Sequence, residues 1–316
     1  MKYAFLILAH TDPQQLRRLV HALDDPRFDV FIHVDAKSDI ADFEFEKYAL
    51  RHSRLTVLQK RYRLYWGDIS IVRATLALFR AALEAGDYAR FITLSGLDYP
   101  IRSNGEIYDA LSDLSVEFIN IRPLREDLAY KVRGIYIWKY GWKIARFSNV
   151  LFRKWGLCLH SDKIKLTGAG KADVYFSSQW HALSRGCVGH LLKTLDENPR
   201  IMRFFRYSFA PDEMVIPTVL ADSVYGENVL GNSFTKDAHG GERYDHLFNE
   251  LPAVHYLRHQ VNIIKVFDDT EFEPLQSSGK LFFRKARSGV SDKLLDMIDE
   301  TRKMRWKHEI LSFLSQ

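Results

Sequence analysis

The sequence predicts an α/β fold in which helices flank a Rossmann-like, mostly parallel sheet. Apolar runs of strand length alternate with helical patterns over residues 1–125, which is typical of parallel strands joined by helices. Two acidic residues, Asp35 and Asp98, come just after predicted strands. Because ligands of such sheets bind at the carboxyl ends of the strands, both acids lie where a site is expected.

The elements of the first half are predicted from apolar spacing and flanking residues. Thr11-Asp12-Pro13 starts a helix, since Pro is favoured in a first helical turn. A long helix over residues 68–85 ends at Gly86, a residue typical of helix C-termini. The predicted strands are residues 2–9, 28–34, 55–58, 91–94 and 116–121, and the shorter helices are residues 15–23 and 106–111.

The second half has a less regular pattern. We expect a helix near 188–195, short strands near 254–257 and 263–267, a turn-rich stretch at 226–243 and a closing amphipathic helix from residue 291. The chain is interpreted as one domain of residues 1–316. Within it, we assign 1–125 to a nucleotide-binding half, 126–290 to an acceptor-binding and catalytic half, and 291–316 to the C-terminal helix.

Composition limits the protein class. Cys158 and Cys187 lack metal-ligand spacing and suggest reduced thiols of a cell interior. The apolar residues 2–9 are too short to span a membrane, and no signal-peptide cleavage site follows them, so we expect a cytoplasmic protein.

Residues 131–166 form a basic, aromatic-rich segment. It holds nine Lys and Arg residues against one acid, Asp162, together with seven aromatic residues. Such a segment can contact a sugar chain, nucleic acid or the anionic inner face of a membrane, and a solvated loop is the alternative. The chain has no recognised nucleic-acid motif, so we do not expect a nucleic-acid partner.

A pair of acids after a proline is the strongest candidate for catalysis. Asp212 and Glu213 follow Pro211, and Pro217 removes the helical hydrogen bond that the carbonyl of Glu213 would accept. A carboxylate on a short, interrupted helix is well placed to face a cleft. The alternative is an ordinary helix start, where acids in the first turn suit the helix dipole.

Seven motifs occur in the order typical of one enzyme family. They are ILAH at 7–10, IHVDAKS at 32–38, YWGD at 65–68, LSGLDYPI at 94–101, SSQWHALSR at 177–185, APDE at 210–213 and LFFRK at 281–285. Over nearly its whole length the chain resembles glycosyltransferase family 14, the core-2/I-branching β-1,6-N-acetylglucosaminyltransferases and peptide O-xylosyltransferases. The resemblance implies a GT-A-like glycosyltransferase fold, a UDP-sugar donor, inversion at the anomeric carbon and no metal or other cofactor.

The resemblance also implies roles for individual residues. Glu213 matches the catalytic base, which takes the proton of the acceptor hydroxyl. Lys285, beside Arg284, is the first choice for a diphosphate ligand, and Lys265 and Arg258 compete for a second basic position. Where many GT-A enzymes carry a metal-binding Asp-x-Asp pair, this chain has Asp35-Ala36-Lys37, so we predict no metal ligands and charge neutralisation by basic side chains.

The remaining candidates divide between donor and acceptor. On the donor side, Asp35 resembles the nucleoside-contacting residue, and Trp66 is either an apolar wall or a core residue. The other donor-side candidates are His10, Thr11 and Lys37. On the acceptor side, Trp180 either stacks on a sugar or is buried, and Ser177 stands where the family usually has glycine. The other acceptor-side candidates are Asp98, Ser178, Gln179 and Asp212.

Together these features predict an inverting, metal-independent glycosyltransferase of surface polysaccharide synthesis. N-acetylglucosamine is the first choice of sugar, and xylose or another UDP-sugar is the alternative. The expected acceptor is a glycan hydroxyl, with a lipid-linked glycan as one option that would bring residues 131–166 to the membrane. A non-catalytic sugar- or nucleotide-binding protein and a sugar-nucleotide hydrolase are the competing interpretations.

Overall fold

The computed structural model describes residues 1–137, 142–155, 163–165, 171–229, 254–257, 259–260 and 263–314. Its strands are β1 (Lys2–Ala9), β2 (Phe28–Val34), β3 (Leu55–Val57), β4 (Tyr88–Ser95), β5 (Asp98–Pro100), β6 (Arg122–Pro123), β7 (Lys163–Lys165), β8 (Lys171–Asp173), β9 (Tyr175–Phe176), β10 (Ala182–Ser184), β11 (His255–Leu257), β12 (His259–Gln260), β13 (Ile263–Ile264) and β14 (Phe282–Arg284). Its helices are α1 (Pro13–Ala22), α2 (Ile69–Ala85), α3 (Asn104–Ala110), α4 (Tyr130–Arg133), α5 (Trp142–Lys154), α6 (Arg185–Glu197), α7 (Pro199–Phe204), α8 (Val215–Ala221), α9 (Val224–Glu227), α10 (Phe272–Ser277) and α11 (Asp292–Leu314).

The central sheet has five strands in the order β10-β4-β1-β2-β3. The strands β4, β1, β2 and β3 run parallel, and only the edge strand β10 pairs in the antiparallel direction, with β4. The predicted α/β class with a mostly parallel sheet is therefore confirmed. Because β10 comes from residues 182–184, the second half of the chain completes the sheet of the first.

Two apolar cores cover the two faces of this sheet. Alternate side chains of β1 belong to different cores because successive residues of a strand point to opposite faces. Leu6 packs in a core with residues of α2, α6 and α8. Phe5 and Ile7 pack in a second core with residues of α1, α3 and α11.

A second, three-stranded sheet lies beside the carboxyl ends of the central strands. Its order is β11-β14-β5, with β14 parallel to β11 and antiparallel to β5. This register pairs Arg284 with Asp98 across β14 and β5. Residues 186 positions apart in the chain thus become neighbours at one edge of the fold.

The long helix α11 ties the C-terminal part to the first half. Leu294, Leu295 and Ile298 are fully buried in the second core. Arg18 of α1 pairs with Asp296 at 2.6 Å and Asp299 at 2.8 Å. The predicted C-terminal helix is confirmed, and it packs on residues of the first half of the chain. Among the described residues, no helix has an apolar run long enough to cross a membrane.

The prediction of a strand over 116–121 is wrong. Glu117 and Phe118 form only isolated bridges, and β6 begins after this stretch. The buried carboxylate of Glu117 instead accepts hydrogen bonds from the backbone and hydroxyl of Ser184. Ile119 and Ile121 are buried, so the apolar pattern of this stretch indicates burial in the core and not strand pairing. Most of the turn-rich stretch 226–243 lies outside the described residues.

Candidate functional site

Three central strands end at the same edge of the sheet, and polar residues follow each of them. His10 comes after β1, Asp35 after β2 and Asp98 shortly after β4. Since these strands are parallel neighbours, their carboxyl ends lie side by side. The structure therefore brings these three predicted residues to one edge. Thr11, half-buried, follows His10 directly.

Backbone and side-chain contacts fix Asp35 and Lys37. The amide of Asp35 donates to the carbonyl of Ala9 at 2.8 Å. Its Oδ1 accepts from the amides of Lys37 at 2.9 Å and Leu64 at 3.2 Å, and its Oδ2 lies 3.4 Å from Lys37 Nζ. Lys37 Nζ also lies 4.7 Å from the ring centroid of Tyr65. The two predicted donor residues thus form one ordered unit.

Positive charge collects at this edge. Burial lowers the pKa of His10, and the charges of Arg284, Lys285 and Lys37 lower it further against the opposing effect of Asp35. Burial and the neighbouring Arg284 and Arg287 lower the pKa of Lys285. Within the described part of the chain, the ammonium of Lys285 has no ion-pair partner. Such a group is suited to an anionic ligand.

Asp98 is fully buried among protein donors. Ser95 donates to its carboxylate from the backbone at 2.8 Å and from the hydroxyl at 2.7 Å. Arg284 Nη1 lies 3.0 Å from one carboxylate oxygen and His255 Nε2 lies 3.1 Å from the other. Burial alone would raise the pKa of Asp98, but the charge of Arg284 and the hydrogen bond from His255 lower it below its usual value.

This geometry gives no support to the prediction that Asp98 binds a sugar, because both of its oxygens accept hydrogen bonds from protein groups and none of its surface is exposed. Its charge instead holds Arg284, which is also buried. Arg284 is better described as a positioning residue for its neighbour Lys285 than as an open diphosphate ligand.

Trp180 is buried, as the alternative interpretation held. The guanidinium carbon of Arg284 lies 5.0 Å from the Trp180 ring centroid, and the His255 ring is 5.3 Å away. Only 4% of Trp180 is exposed, so its faces are not open to a sugar. The half-buried Ser178 accepts a hydrogen bond from the Trp180 amide at 3.2 Å, and the carbonyl of Gln179 accepts one from Thr93 at 3.1 Å.

Lys265 is committed elsewhere. Its ammonium forms an ion pair with the buried carboxylate of Glu271, so its charge is already balanced within the protein. The prediction of Lys265 as a diphosphate ligand is not supported. Its competitor, Arg258, lies outside the described residues.

Backbone hydrogen bonds hold the Pro-Asp-Glu motif as a tight turn. Residues Pro211–Glu213 form a single 3₁₀ turn, and the regular helix α8 begins only at Val215. The carbonyl of Glu213, which cannot bond to Pro217, accepts from the amide of Ser177 at 2.8 Å. The predicted interruption of the helix is confirmed, and the freed carbonyl anchors the turn to the segment before β10.

The turn also contacts the Tyr-Trp-Gly-Asp motif. The amide of Ala210, whose φ is +52°, donates to the carbonyl of Gly67 at 2.9 Å. Trp66 is 68% exposed, and its ring centroid lies 5.3 Å from that of Phe209. The alternative of a core Trp66 is wrong, while its role as a wall of the donor pocket stays a prediction.

Lys131 forms an ion pair with Glu213. The Lys131 side chain is 5% exposed and that of Glu213 25%, so the carboxylate alone reaches solvent. Phe176 and Phe209 enclose the ammonium, with ring centroids 4.6 and 5.4 Å from Nζ. Sequence reasoning missed this partner because it precedes Glu213 by 82 positions and no local pattern links the two.

Asp212 faces inward beside Glu213. Burial raises the pKa of Asp212 to about 7, and the neighbouring charge of Glu213 adds to the rise. Its Oδ1 is buried without a hydrogen-bond partner in the described part of the structure. This placement gives no support to its predicted contact with a sugar.

The raised pKa of Asp212 predicts a stability loss as pH increases. Between its ordinary value of 3.8 and about 7, the folded protein keeps a proton that the unfolded chain has released, so stability falls as pH rises through this window. We expect Asp212→Asn to unfold at a higher temperature than the wild type at pH 8 and to lose this advantage near pH 4. Thermal melts across this range test it, with the exposed Asp222→Asn as the control. A difference in unfolding temperature between variant and wild type that does not change with pH would contradict the raised pKa of Asp212.

The described residues contain no cluster of three or more His, Cys, Asp and Glu side chains suited to a metal ion. Independence from metal stays a prediction for the full chain.

Comparison with known proteins decides the family. The family model described as Core-2/I-Branching enzyme matches residues 3–238. This chain belongs to the Core-2/I-Branching enzyme family. The family predicted from the seven motifs is thereby confirmed, and the mostly parallel sheet agrees with the GT-A-like fold expected of it.

Curated relatives carry the names of sugar transferases. Xylosyltransferase 2 of Homo sapiens is 25% identical over 310 residues, which are 95% of this chain and 33% of that protein. Xylosyltransferase 1 of Canis lupus familiaris is 24% identical over 247 residues, covering 74% of this chain and 24% of the relative. The chain thus spans about a third or less of the length of these two relatives.

Solved structures show weaker likeness. The apo form of mouse Xyloside xylosyltransferase 1 superposes with a TM-score of 0.35 at 12% identity, covering 79% of this chain and 93% of that one. S. aureus TarS gives a TM-score of 0.27 at 16% identity and covers 36% of this chain and 20% of its own. At these scores the likeness says nothing about substrate.

Proposed function

We propose that this chain is an inverting, metal-independent glycosyltransferase that moves a sugar from a UDP-sugar to a hydroxyl of an acceptor. One observation carries the proposal: Lys285, which forms no ion pair within the described residues, lies with Lys37 and Arg284 beside His10 at the carboxyl ends of the parallel strands. A diphosphate fits this charge and this location. Family membership and the partly exposed Glu213 support transfer rather than binding alone.

Each part of the reaction has a residue to perform it. Glu213 takes the proton of the acceptor hydroxyl while that oxygen attacks the anomeric carbon from the face opposite the diphosphate. The bond between the anomeric carbon and the phosphate oxygen breaks, and UDP leaves with the bonding electrons. Lys131 and the Ser177 amide fix the direction of Glu213.

Lys285 stabilises the charge that develops on the leaving UDP. An ammonium about 4 Å from a phosphate oxygen has a gross attraction of roughly 4 kcal/mol at an effective dielectric near 20. Asp98 holds Arg284, and so aligns β14 directly before Lys285. Preorganised charge of this kind is what a transition state with a departing anion requires.

Two donor sugars have independent support. N-acetylglucosamine matches the sugar implied by the motifs, whereas the names of the curated relatives favour xylose. Transfer assays with both UDP-sugars in parallel would decide between them.

Calorimetric titration with UDP in excess EDTA tests the donor site, with ATP and GDP as controls. We expect selective binding of UDP. Binding only after manganese is added would contradict the role given to the basic residues. Rapid breakdown of UDP-sugar without an acceptor would favour a hydrolase, and failure to bind under either condition would favour a non-catalytic relative.

Lys285→Ala is expected to weaken the binding of UDP at least tenfold while leaving the affinity for uridine almost unchanged. Uridine lacks the diphosphate, so it does not lose the contact that the variant removes. Titrations of both ligands measure the difference, with the exposed Lys303→Ala as the matched control. Equal losses for UDP and uridine would place Lys285 away from the diphosphate.

We further propose that α5 docks on an anionic membrane surface, where a lipid-linked acceptor would be found. On the inward side of this helix, Ala145 is fully buried and the Ser148 hydroxyl donates a hydrogen bond to the carbonyl of Ile135. Among the side chains of this helix that the structure describes, the exposed apolar ones are Ile144, Phe147 and Val150, followed by Trp155, and the exposed basic ones are Lys143, Arg146 and Lys154. An apolar face bordered by cations is typical of helices that lie at a membrane interface.

Phe147→Ser combined with Trp155→Ser is expected to weaken vesicle binding by at least about 30-fold, since two lost apolar contacts of roughly 1–2 kcal/mol each sum to roughly 2–4 kcal/mol. Co-flotation with phosphatidylcholine vesicles, with and without phosphatidylglycerol, measures this. The control is Val224→Ser with Met304→Ser, which removes two equally exposed apolar residues elsewhere. Failure of the wild-type protein to bind vesicles that contain phosphatidylglycerol would overturn the proposal that α5 docks on a membrane.

A further inference from the structure

A basic groove runs beside α2, next to the candidate site. It consists of two adjoining cavities of about 430 and 460 Å³ that share Tyr62 and Arg73. The first cavity includes Asp68 and Ser70 at the start of α2, and the second continues along the helix to Glu84. We call these two cavities together the α2 groove.

Three guanidinium groups line the first cavity of the groove together with one carboxylate, that of Asp68. Arg63, Arg73 and Arg206 are exposed, and within the described ranges none of them forms an ion pair. Arg80, which lines the second cavity, is by contrast paired with Asp196 at 2.5 Å. The three guanidinium groups outnumber the one carboxylate of this cavity, and this excess of positive charge fits an anionic ligand.

Tyrosine rings line the same cavity. Tyr62 stacks on His33 with ring centroids 5.8 Å apart, and Tyr65 packs against the ammonium of Lys37. Arg206 lies over Tyr207, with its guanidinium carbon 5.3 Å from the ring centroid. Flat, anchored rings with a polar edge offer sugar rings both an apolar face and a hydrogen-bonding hydroxyl.

The groove is joined to the site through shared residues. Tyr65 lines the first cavity, and Lys37, which it contacts, belongs to the Asp35 unit of the donor side. Asp68 lines the same cavity and directly follows Gly67, whose carbonyl holds the Pro-Asp-Glu turn. A chain lying in the groove would therefore extend toward Glu213.

We propose that the α2 groove binds an acceptor glycan that carries anionic groups along its chain, such as uronate, sulfate or phosphate. This inference rests on the proposed function, since it names the chemical class of the acceptor for the same site. The tyrosines favour a glycan over an acidic peptide, because they supply stacking surfaces beside the charges. Neutral glycans lack the groups that the three arginines would contact.

Calorimetry with defined oligomers tests the proposal. The probes are hexagalacturonate and a heparin hexasaccharide as anionic glycans, maltohexaose as a neutral glycan and hexaglutamate as an acidic peptide. The variant combines Arg63→Ser, Arg73→Ser and Arg206→Ser. The control variant removes the same charge elsewhere through Arg51→Ser, Lys193→Ser and Lys303→Ser, all exposed positions. UDP is titrated into every protein as a separate readout of the donor site.

We expect the wild type and the control variant to bind at least one anionic glycan, more weakly as salt rises, and not to bind maltohexaose. The groove variant should bind that glycan at least tenfold more weakly, about 1.4 kcal/mol, with UDP affinity unchanged. Equal affinity in the groove and control variants would overturn the proposal, as would UDP binding without any anionic glycan binding. If hexaglutamate bound as tightly as the glycans, the proposal of an anionic glycan would be wrong and an acidic peptide would be the favoured ligand class. Glycan binding without UDP binding would refute the transferase and leave the groove a glycan site.

Discussion

Glu213→Gln is expected to lower sugar transfer by roughly 10²–10⁴-fold while leaving UDP affinity close to that of the wild type. Loss of a general base removes about this factor, because the neutral amide cannot accept the proton of the attacking hydroxyl. The amide keeps nearly the same shape, and the backbone bond from Ser177 to the carbonyl of residue 213 is unaffected. Single-turnover transfer and UDP titration on the same preparation measure the two effects.

The ion pair with Lys131 requires a second variant. Glu213→Gln leaves the buried Lys131 ammonium without its partner, which lowers stability for a reason unrelated to catalysis. Combining it with Lys131→Met removes the stranded charge and should recover folding but not transfer. The exposed Glu46→Gln serves as the control for a carboxylate-to-amide change. Transfer within tenfold of the wild type in either Glu213 variant would place the base elsewhere.

Asp98→Ala is expected to destabilise the fold by about 3–5 kcal/mol, the usual result of removing one partner of a buried ion pair. Arg284 and His255 would then lie buried beside a cavity, with no carboxylate to compensate the guanidinium. Because β14 aligns Lys285, UDP affinity should fall in the fraction that still folds. Urea unfolding at pH 7 measures the stability change.

Asp87→Ala is the matched control for this change. It removes an Asp from an ion pair with Arg185 at 3.3 Å, but the Asp87 side chain is 95% exposed. Exposed pairs contribute roughly 0–1 kcal/mol, so we expect little effect. Similar destabilisation by the two variants would show that the Asp98 network is not what holds β14 in place.

The sequence predicted those features that depend on local pattern. The strands β1 and β2 and the helix α2 have near-continuous apolar runs or clear caps, such as Asp68 accepting from the Ser70 amide at 2.7 Å. Pro217 likewise gave the interruption after Glu213. These features are determined by residues that are neighbours in the chain, which is why they could be predicted from one sequence.

Features that depend on distant contacts were missed or misassigned. Asp98 has the sequence context of a strand-end ligand, and only the pairing of β5 with β14 shows that Arg284 occupies it. Lys131 lies in a basic segment that sequence alone assigns to the surface, yet it is buried against Glu213. Composition gives no sign of such pairs, because they arise where two remote segments meet.

The pairing of Asp98 with Arg284 also has a consequence for the order in which the protein is made. The two residues are 186 positions apart, so at roughly 5–20 residues per second Asp98 is synthesised about 10–40 s before Arg284. During that interval β4 and β1 can pair, but the edge of the sheet that later carries the site keeps an unpartnered carboxylate in water. The nascent chain therefore cannot complete this edge, or the UDP site that we propose on it, until the segment that carries Arg284 has been made.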